Sequence, residues 1–319
     1  MIKIKENQKI NFSPRTFLRT MASFFASNTC TFSRSNYMAE SSQDGLKIGF
    51  AGKGGVGKTL LASTIARLAA RKEIFENVLA IDNDPSLNLG MSLGLEDDEI
   101  GPPISEMSDL IKERTGATPG SGLAFKLNPY VEDIPDEYTV NAPDGVRLLV
   151  LGTIQDPGSG CLCSANALVR ELLYHLIVQR NELVILDFEA GVESSLGRAT
   201  SKGLDVLFII VEPGQKSIKV GQHMAELATK LGIKNVFSIL NKMMDEEQQT
   251  ILEEPLERAG APVFGTVPYS RAILEADLKG IPVLDSSPED AAVKSMNAIL
   301  EKILKEFYPS CERKPAPLV

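Results

Sequence analysis

No stretch of this 319-residue chain approaches the roughly 20 uninterrupted apolar residues that a membrane-spanning helix needs. Basic residues are in the minority, 33 Lys and Arg against 42 Asp and Glu, for a net charge of −9. That balance argues against tight electrostatic binding to DNA or to anionic lipid. Cysteine is sparse and scattered: Cys30, Cys161, Cys163 and Cys311 make no disulfide framework and suit a reducing compartment, so a cytoplasmic location is expected. Histidine is scarcer still, with His175 and His223 alone, which leaves a single chain short of ligands for a closed metal site. Residues 1–43 are short of acids, with Glu6 and Glu40 against six Lys or Arg, and they hold no hydrophobic block of signal-peptide length. We read 1–43 as disordered, or as lying upstream of a true start near Met38, with an organelle-targeting segment as the alternative. Cys30 in that extension and Cys311 in the Pro-rich tail, 309–319, are read as incidental.

The remaining composition, 43% hydrophobic and 24% charged, is that of an ordinary soluble globular protein. Its sharpest feature is Gly-Lys-Gly-Gly-Val-Gly-Lys-Thr at residues 52–59. An apolar run, Leu46–Ala51, precedes it and a helix-patterned run, Thr59–Arg71, follows it, the setting that a phosphate-binding loop requires. Gly52, Gly54, Gly55 and Gly57 let backbone N–H groups close on a phosphate, with Val56 between them and Leu60 just beyond. The helix that follows adds the positive end of its dipole. Lys58 is placed to reach the β- and γ-phosphates and the Thr59 hydroxyl to bind Mg²⁺. The expected ligands are a nucleoside triphosphate and Mg²⁺.

Short runs rich in Val, Ile and Leu recur at Val78–Asn83, Val146–Leu151, Leu183–Phe188, Val206–Val211, Val236–Leu240 and Val263–Val267. Helical patterns lie between them at about 165–180, 216–231 and 247–260, and residues 101–145 read as a surface excursion with one helix at Ile104–Arg114. Apolar strands alternating with helices predict a doubly wound α/β fold, a mostly parallel sheet with helices on both faces. A single domain is expected over 44–308. The last helix, Ala291–Tyr308, carries an apolar stripe flanked by mixed charges, which predicts packing on the sheet and not on a membrane surface.

Ligands of such sheets sit at the carboxyl ends of the strands. Asp187 ends one strand there, as a Mg²⁺-holding aspartate would, and Gly191 follows it in a turn where a backbone N–H can meet and release a γ-phosphate. Asp82 and Asp84 end the second strand; acids at strand ends are also common solvated turn formers.

The loop's early lysine, Lys53, resembles that of the SIMIBI-type P-loop ATPases with a deviant loop, the broad family of nitrogenase iron protein, division-site and partition ATPases and metal-cluster insertion ATPases. The resemblance implies that Lys53 crosses a homodimer interface to the partner's nucleotide. It further implies that Asp84 orients the attacking water, that Asp82 lies near Mg²⁺, and that Asn241 and Pro268 sit at the adenine end. The matching residues there are Asn241-Lys242, Val267-Pro268-Tyr269, Ala276 and Gly280-Ile281-Pro282. Nothing indicates a phosphate acceptor other than water, so slow hydrolysis that times a conformational change is expected.

Cys161-Leu162-Cys163 directly precedes the helical pattern at 165–180, whose positive end favours the thiolate. By chemistry alone the pair is either buried structural cysteine or half of a metal site. Two pairs across a two-fold axis would supply four thiolates for Ni²⁺, Zn²⁺ or an iron–sulfur cluster. Gly160-Cys161-Leu162-Cys163, Asn166 and Asp187-Phe188-Glu189-Ala190-Gly191-Val192-Glu193 resemble the CooC-type nickel-insertion ATPases of carbon monoxide dehydrogenase. So do Ile104-Ser105-Glu106-Met107, Leu127-Asn128-Pro129 and Val211-Glu212-Pro213 with Ser217-Ile218-Lys219, and the similarity runs from about Leu46 to Leu284. It implies a homodimeric ATP-dependent metallochaperone with Cys161 and Cys163 as interface ligands of Ni²⁺ (or Zn²⁺). Its client is carbon monoxide dehydrogenase or the linked acetyl-CoA synthase, and neither nucleic acid nor membrane is a partner. The competing readings are an iron–sulfur carrier or scaffold ATPase and a positioning ATPase of the division-site and partition kind.

Overall fold

β-Branched and aromatic residues that are buried on both faces build the centre of the molecule. The computed structural model describes residues 45–118, 121, 123–152, 163–179, 182–188 and 203–309, all within one compact unit. The described residues form eight strands, β1 (Lys47–Gly52), β2 (Val78–Asn83), β3 (Val140–Asn141), β4 (Val146–Val150), β5 (Leu183–Phe188), β6 (Val206–Val211), β7 (Val236–Met243) and β8 (Val263–Pro268). They form one sheet in the order β3-β4-β2-β5-β1-β6-β7-β8. Every pairing is parallel except that of β3 with β4. Strands β1, β2, β5 and β6 are buried at every residue, the signature of a sheet covered on both sides.

Side chains of successive strand residues divide between two cores. On one side Ile48, Phe50, Phe208 and Phe264 pack under helices α1 (Lys58–Arg71) and α10 (Ala291–Phe307). On the other, Leu79, Ile81, Leu186 and Leu207 pack under α3 (Ser108–Thr115), α5 (Cys163–Tyr174), α6 (Gln215–Leu231) and α7 (Glu246–Arg258). The shorter helices are α2 (Leu89–Leu93), α4 (Ile134–Glu137), α8 (Arg271–Asp277) and α9 (Val283–Ser286). None of the described helices is long and apolar enough to cross a membrane.

Helix α10 meets the expectation for the last helix. Its stripe Val293, Met296, Leu300, Ile303 and Leu304 is buried, and Phe307 packs on Phe264 and Phe237. Helix α7 runs through Pro255 and begins at a side-chain cap, Asp245 accepting from the Gln248 N–H at 2.8 Å.

The expected surface excursion at 101–145 is corrected. Ile104, Leu110, Ile111 and Ile134 are buried in the second core, and the Ser105 N–H bonds the Leu151 carbonyl at 3.0 Å. The single helix expected at Ile104–Arg114 is divided into a 3₁₀ turn, Ile104–Glu106, and α3. The expected extension, 1–43, lies outside the described residues, as do 310–319 of the expected tail.

Candidate functional site

Gly57 caps α1 with φ +95°, a left-handed angle that costs a side-chain-bearing residue. A Cβ there would also stand 2.3 Å from the Asn241 amide nitrogen. The loop between β1 and α1 therefore lies directly on the end of β7. Asn241 donates from Nδ2 to the Val56 carbonyl at 2.8 Å, and Lys242 donates from Nζ to the Gly55 carbonyl at 2.7 Å. Because C=O and N–H of one peptide unit point opposite ways, tying the Val56 carbonyl down turns the Gly57 N–H toward the open side. A phosphate-binding surface of backbone donors is thereby held in shape before any ligand arrives.

Three acids converge at the mouth of this loop. Asp82 and Asp187 occupy paired positions on β2 and β5. Asp187 accepts the Thr59 hydroxyl at 2.5 Å through one oxygen, while the other is buried with no partner among the described residues. Burial pushes the Asp187 carboxyl up to about 7, against the hydrogen bond from Thr59. Burial likewise raises Asp82 to about 6, although the Leu89 and Asp84 N–H groups donate to it at 2.9 and 3.1 Å. Asp84 behaves in the opposite way. Burial raises it, but hydrogen bonds from the Ser86 hydroxyl and N–H and the charge of Lys58, with Nζ at 3.5 Å, outweigh that and hold its carboxyl below the usual range.

A buried orphan carboxylate oxygen beside a hydroxyl fits a hard divalent cation. That arrangement suits Mg²⁺, which keeps most of its waters and takes one or two protein ligands. Thr59 and Asp187 would hold it, with the bound phosphates completing the set.

An open cleft of about 1300 Å³ runs from Gly54, Lys58 and Thr59 to Pro268, Leu274 and Ile281. Pro268 and Asn241, expected at the adenine end, both line it. Asn241, expected on adenine, instead spends its amide on the loop: Nδ2 on Val56, and Oδ1 on its neighbour's N–H at 2.9 Å. Lys53, expected to face a partner's nucleotide, here points to Glu212 of its own chain at 3.7 Å. Gly191 and Cys161 lie outside the described residues, and Cys163 is the first residue of α5, one step inside the helix that it was expected to precede.

Three groups at this site were not assigned roles from the sequence. Lys242 has φ +61°, an angle that no sequence pattern marked. Arg67, on α1, is buried and binds Asp285 through two nitrogens at 2.6 and 2.7 Å and Asp144 at 2.6 Å, pinning α9 to the back of the loop's helix. Glu212, directly after β6, stood out only within the matching Val211-Glu212-Pro213, which carried no role for it.

The model of the CobQ/CobB/MinD/ParA nucleotide-binding domain matches residues 48–283. The chain belongs to that family. Among its relatives is an uncharacterised ATP-binding protein of Methanocaldococcus jannaschii, 41% identical over 82% of this chain and 98% of that one. Another is the carbon monoxide dehydrogenase accessory protein CooC of Rhodospirillum rubrum, 40% identical over 81% of this chain and 97% of that one. A chain of the MinC:MinD cell division complex of Aquifex aeolicus superposes with a TM-score of 0.59 over 82% of this chain and 97% of its own, at 20% identity, a likeness of fold. Like its family, this chain is a nucleotide-binding P-loop ATPase of doubly wound architecture.

Proposed function

We propose that this ATPase is an accessory protein of carbon monoxide dehydrogenase, with Ni²⁺ as its cargo. The observation that carries the reading is 40% identity to CooC over nearly all of that protein, in a chain that also has Cys161-Leu162-Cys163. Lys58 and the N–H groups of Gly54–Thr59 hold the triphosphate, and Thr59 and Asp187 hold Mg²⁺, which neutralises charge on the phosphates when bound. Asp84, kept ionised by Lys58 and Ser86, accepts a hydrogen bond from the attacking water and orients it. Lys53 leaves its own chain and reaches the nucleotide of a second copy, so that two chains close around ATP. Closure brings two Cys161/Cys163 pairs together as four thiolates for Ni²⁺, and hydrolysis separates them and weakens the hold on the cargo.

The test is an anaerobic Ni²⁺ titration with and without a non-hydrolysable ATP analogue, reading mass and bound metal together. The expected result is one nickel per two chains, lost in a Cys161→Ser/Cys163→Ser variant. An ATP-dependent dimer whose metal content ignores the thiols would leave a switch ATPase with a different client.

A further inference from the structure

Glu212 directly follows β6, the strand beside β1, and divides its two oxygens between two lysines. Oε1 lies 3.7 Å from Lys53 Nζ, and Oε2 accepts from Lys242 Nζ at 2.8 Å. Lys242 in turn holds the Gly55 carbonyl, so one ammonium group ties the carboxylate to the loop that carries Lys53. Neither contact is accidental in the backbone. Lys242 takes a left-handed angle, φ +61°, which non-glycine residues avoid unless the surroundings compel it. The Glu212 N–H is fixed by the Ser217 hydroxyl at 3.1 Å, which anchors the carboxylate's own residue to α6. The two ion pairs are unequal. That with Lys242 is of hydrogen-bond length, while that with Lys53 is long, and the Lys53 side chain is 39% exposed.

We propose that Glu212 is a release catch for Lys53. It holds the lysine against its own chain before pairing, and Lys242 remains as the carboxylate's counter-ion when Lys53 leaves for the second copy. The lysine can then depart without stranding a half-buried negative charge, because the stronger of the two pairs stays intact. This inference rests on the proposed trans role of Lys53 and adds to it the group from which the lysine must be taken.

The catch makes Glu212 and Lys242 act on pairing with opposite signs. Glu212→Gln removes the attraction for Lys53 but leaves an acceptor for Lys242. Lys242→Gln leaves a donor for the Gly55 carbonyl but makes Lys53 the main cation on Glu212, so Lys53 is held harder. A partly exposed ion pair of this length shifts an equilibrium by up to about fivefold, and a dimer contains two, so the change reaches up to about 25-fold. The experiment is sedimentation equilibrium of the full chain at saturating non-hydrolysable ATP analogue, comparing wild type, Glu212→Gln, Lys242→Gln and Lys53→Ala. Tighter pairing in Glu212→Gln, weaker in Lys242→Gln and loss in Lys53→Ala is the expected result. If Lys53→Ala loses pairing while the other two change in the same direction or not at all, the catch is overturned and the trans lysine stands. If Lys53→Ala pairs as the wild type does, the trans role fails and the catch falls with it.

Discussion

Asp187 and Asp82 sit side by side on adjacent strands, and both carboxyls are pushed upward by burial, to about 7 and about 6. A folded-state value above the unfolded one means that the folded chain binds more protons in the window between them. Stability from such a group is present below about 4, the unfolded value, and is lost as the pH rises to about 7. The expected outcome for Mg²⁺-free protein is that the melting temperature of wild type minus that of Asp187→Asn falls steadily from pH 4 to pH 7.5. Differential scanning calorimetry of the two proteins side by side checks it; a flat difference would mean that Asp187 titrates normally. Mg²⁺ with nucleotide reverses the trend, since a cation at the orphan oxygen favours the ionised form. The positions of Asp82, Asp84 and Asp187 at strand ends were legible in the sequence, because each closes a short apolar run. Asn241 lines the cleft, but its bond to Val56 was illegible, because it joins positions 185 apart in the chain.

Among the elements, α1 does most to assemble the site, since its first turn carries Lys58 and Thr59 and its middle carries Arg67. Gly57→Ala forces a Cβ into the Asn241 amide at a left-handed angle, costing about 1–2 kcal/mol for the angle alone. Loss of nucleotide binding by isothermal titration calorimetry, with a lowered melting temperature, is expected. Arg67→Ala leaves Asp144 and Asp285 with Arg71 alone as their shared cation, at 3.0 and 3.6 Å. Removing one partner of a buried pair costs about 3–5 kcal/mol, and the remaining Arg71 with the partial exposure of both carboxylates reduces this to roughly 2 kcal/mol. Urea denaturation should show that loss, and the double variant Arg67→Ala/Asp285→Ala should recover part of it. The apolar strands were legible because each is a short run of Val, Ile and Leu. Strand β3 was not, since two residues, Val140 and Asn141, carry no periodicity and pair only because β4 returns beside them. The helix through Pro255 was legible despite the proline because the apolar positions Leu252 and Leu256 keep their spacing.

For the whole molecule, the proposed function predicts that the nucleotide site and the cysteine pair can be separated by mutation. The Cys161→Ser/Cys163→Ser variant is expected to retain ATP hydrolysis and analogue-dependent pairing while losing nickel, read by malachite-green phosphate release and metal analysis. A variant that loses hydrolysis as well would show that the two parts are not independent. Doubly wound architecture was readable from alternation alone, since a parallel sheet forces crossover helices between its strands.

The residues of the site stand on six neighbouring strands, in the order β2, β5, β1, β6, β7, β8. At about 4.8 Å per strand that row is about 24 Å long, and its ladder bonds prevent one end from sliding on the other. On the proposed placement, the base rests at Pro268 on β8, the phosphates cross Gly52–Thr59 after β1, and Asp84 waits beyond β2. The sheet edge is thus a fixed caliper. On that placement a diphosphate seated at the base end would stop short of Asp84 and a triphosphate would span the jaws. ATP and ADP would then differ as two lengths laid along one ruler, with the difference registered at the β2 end, next to α2.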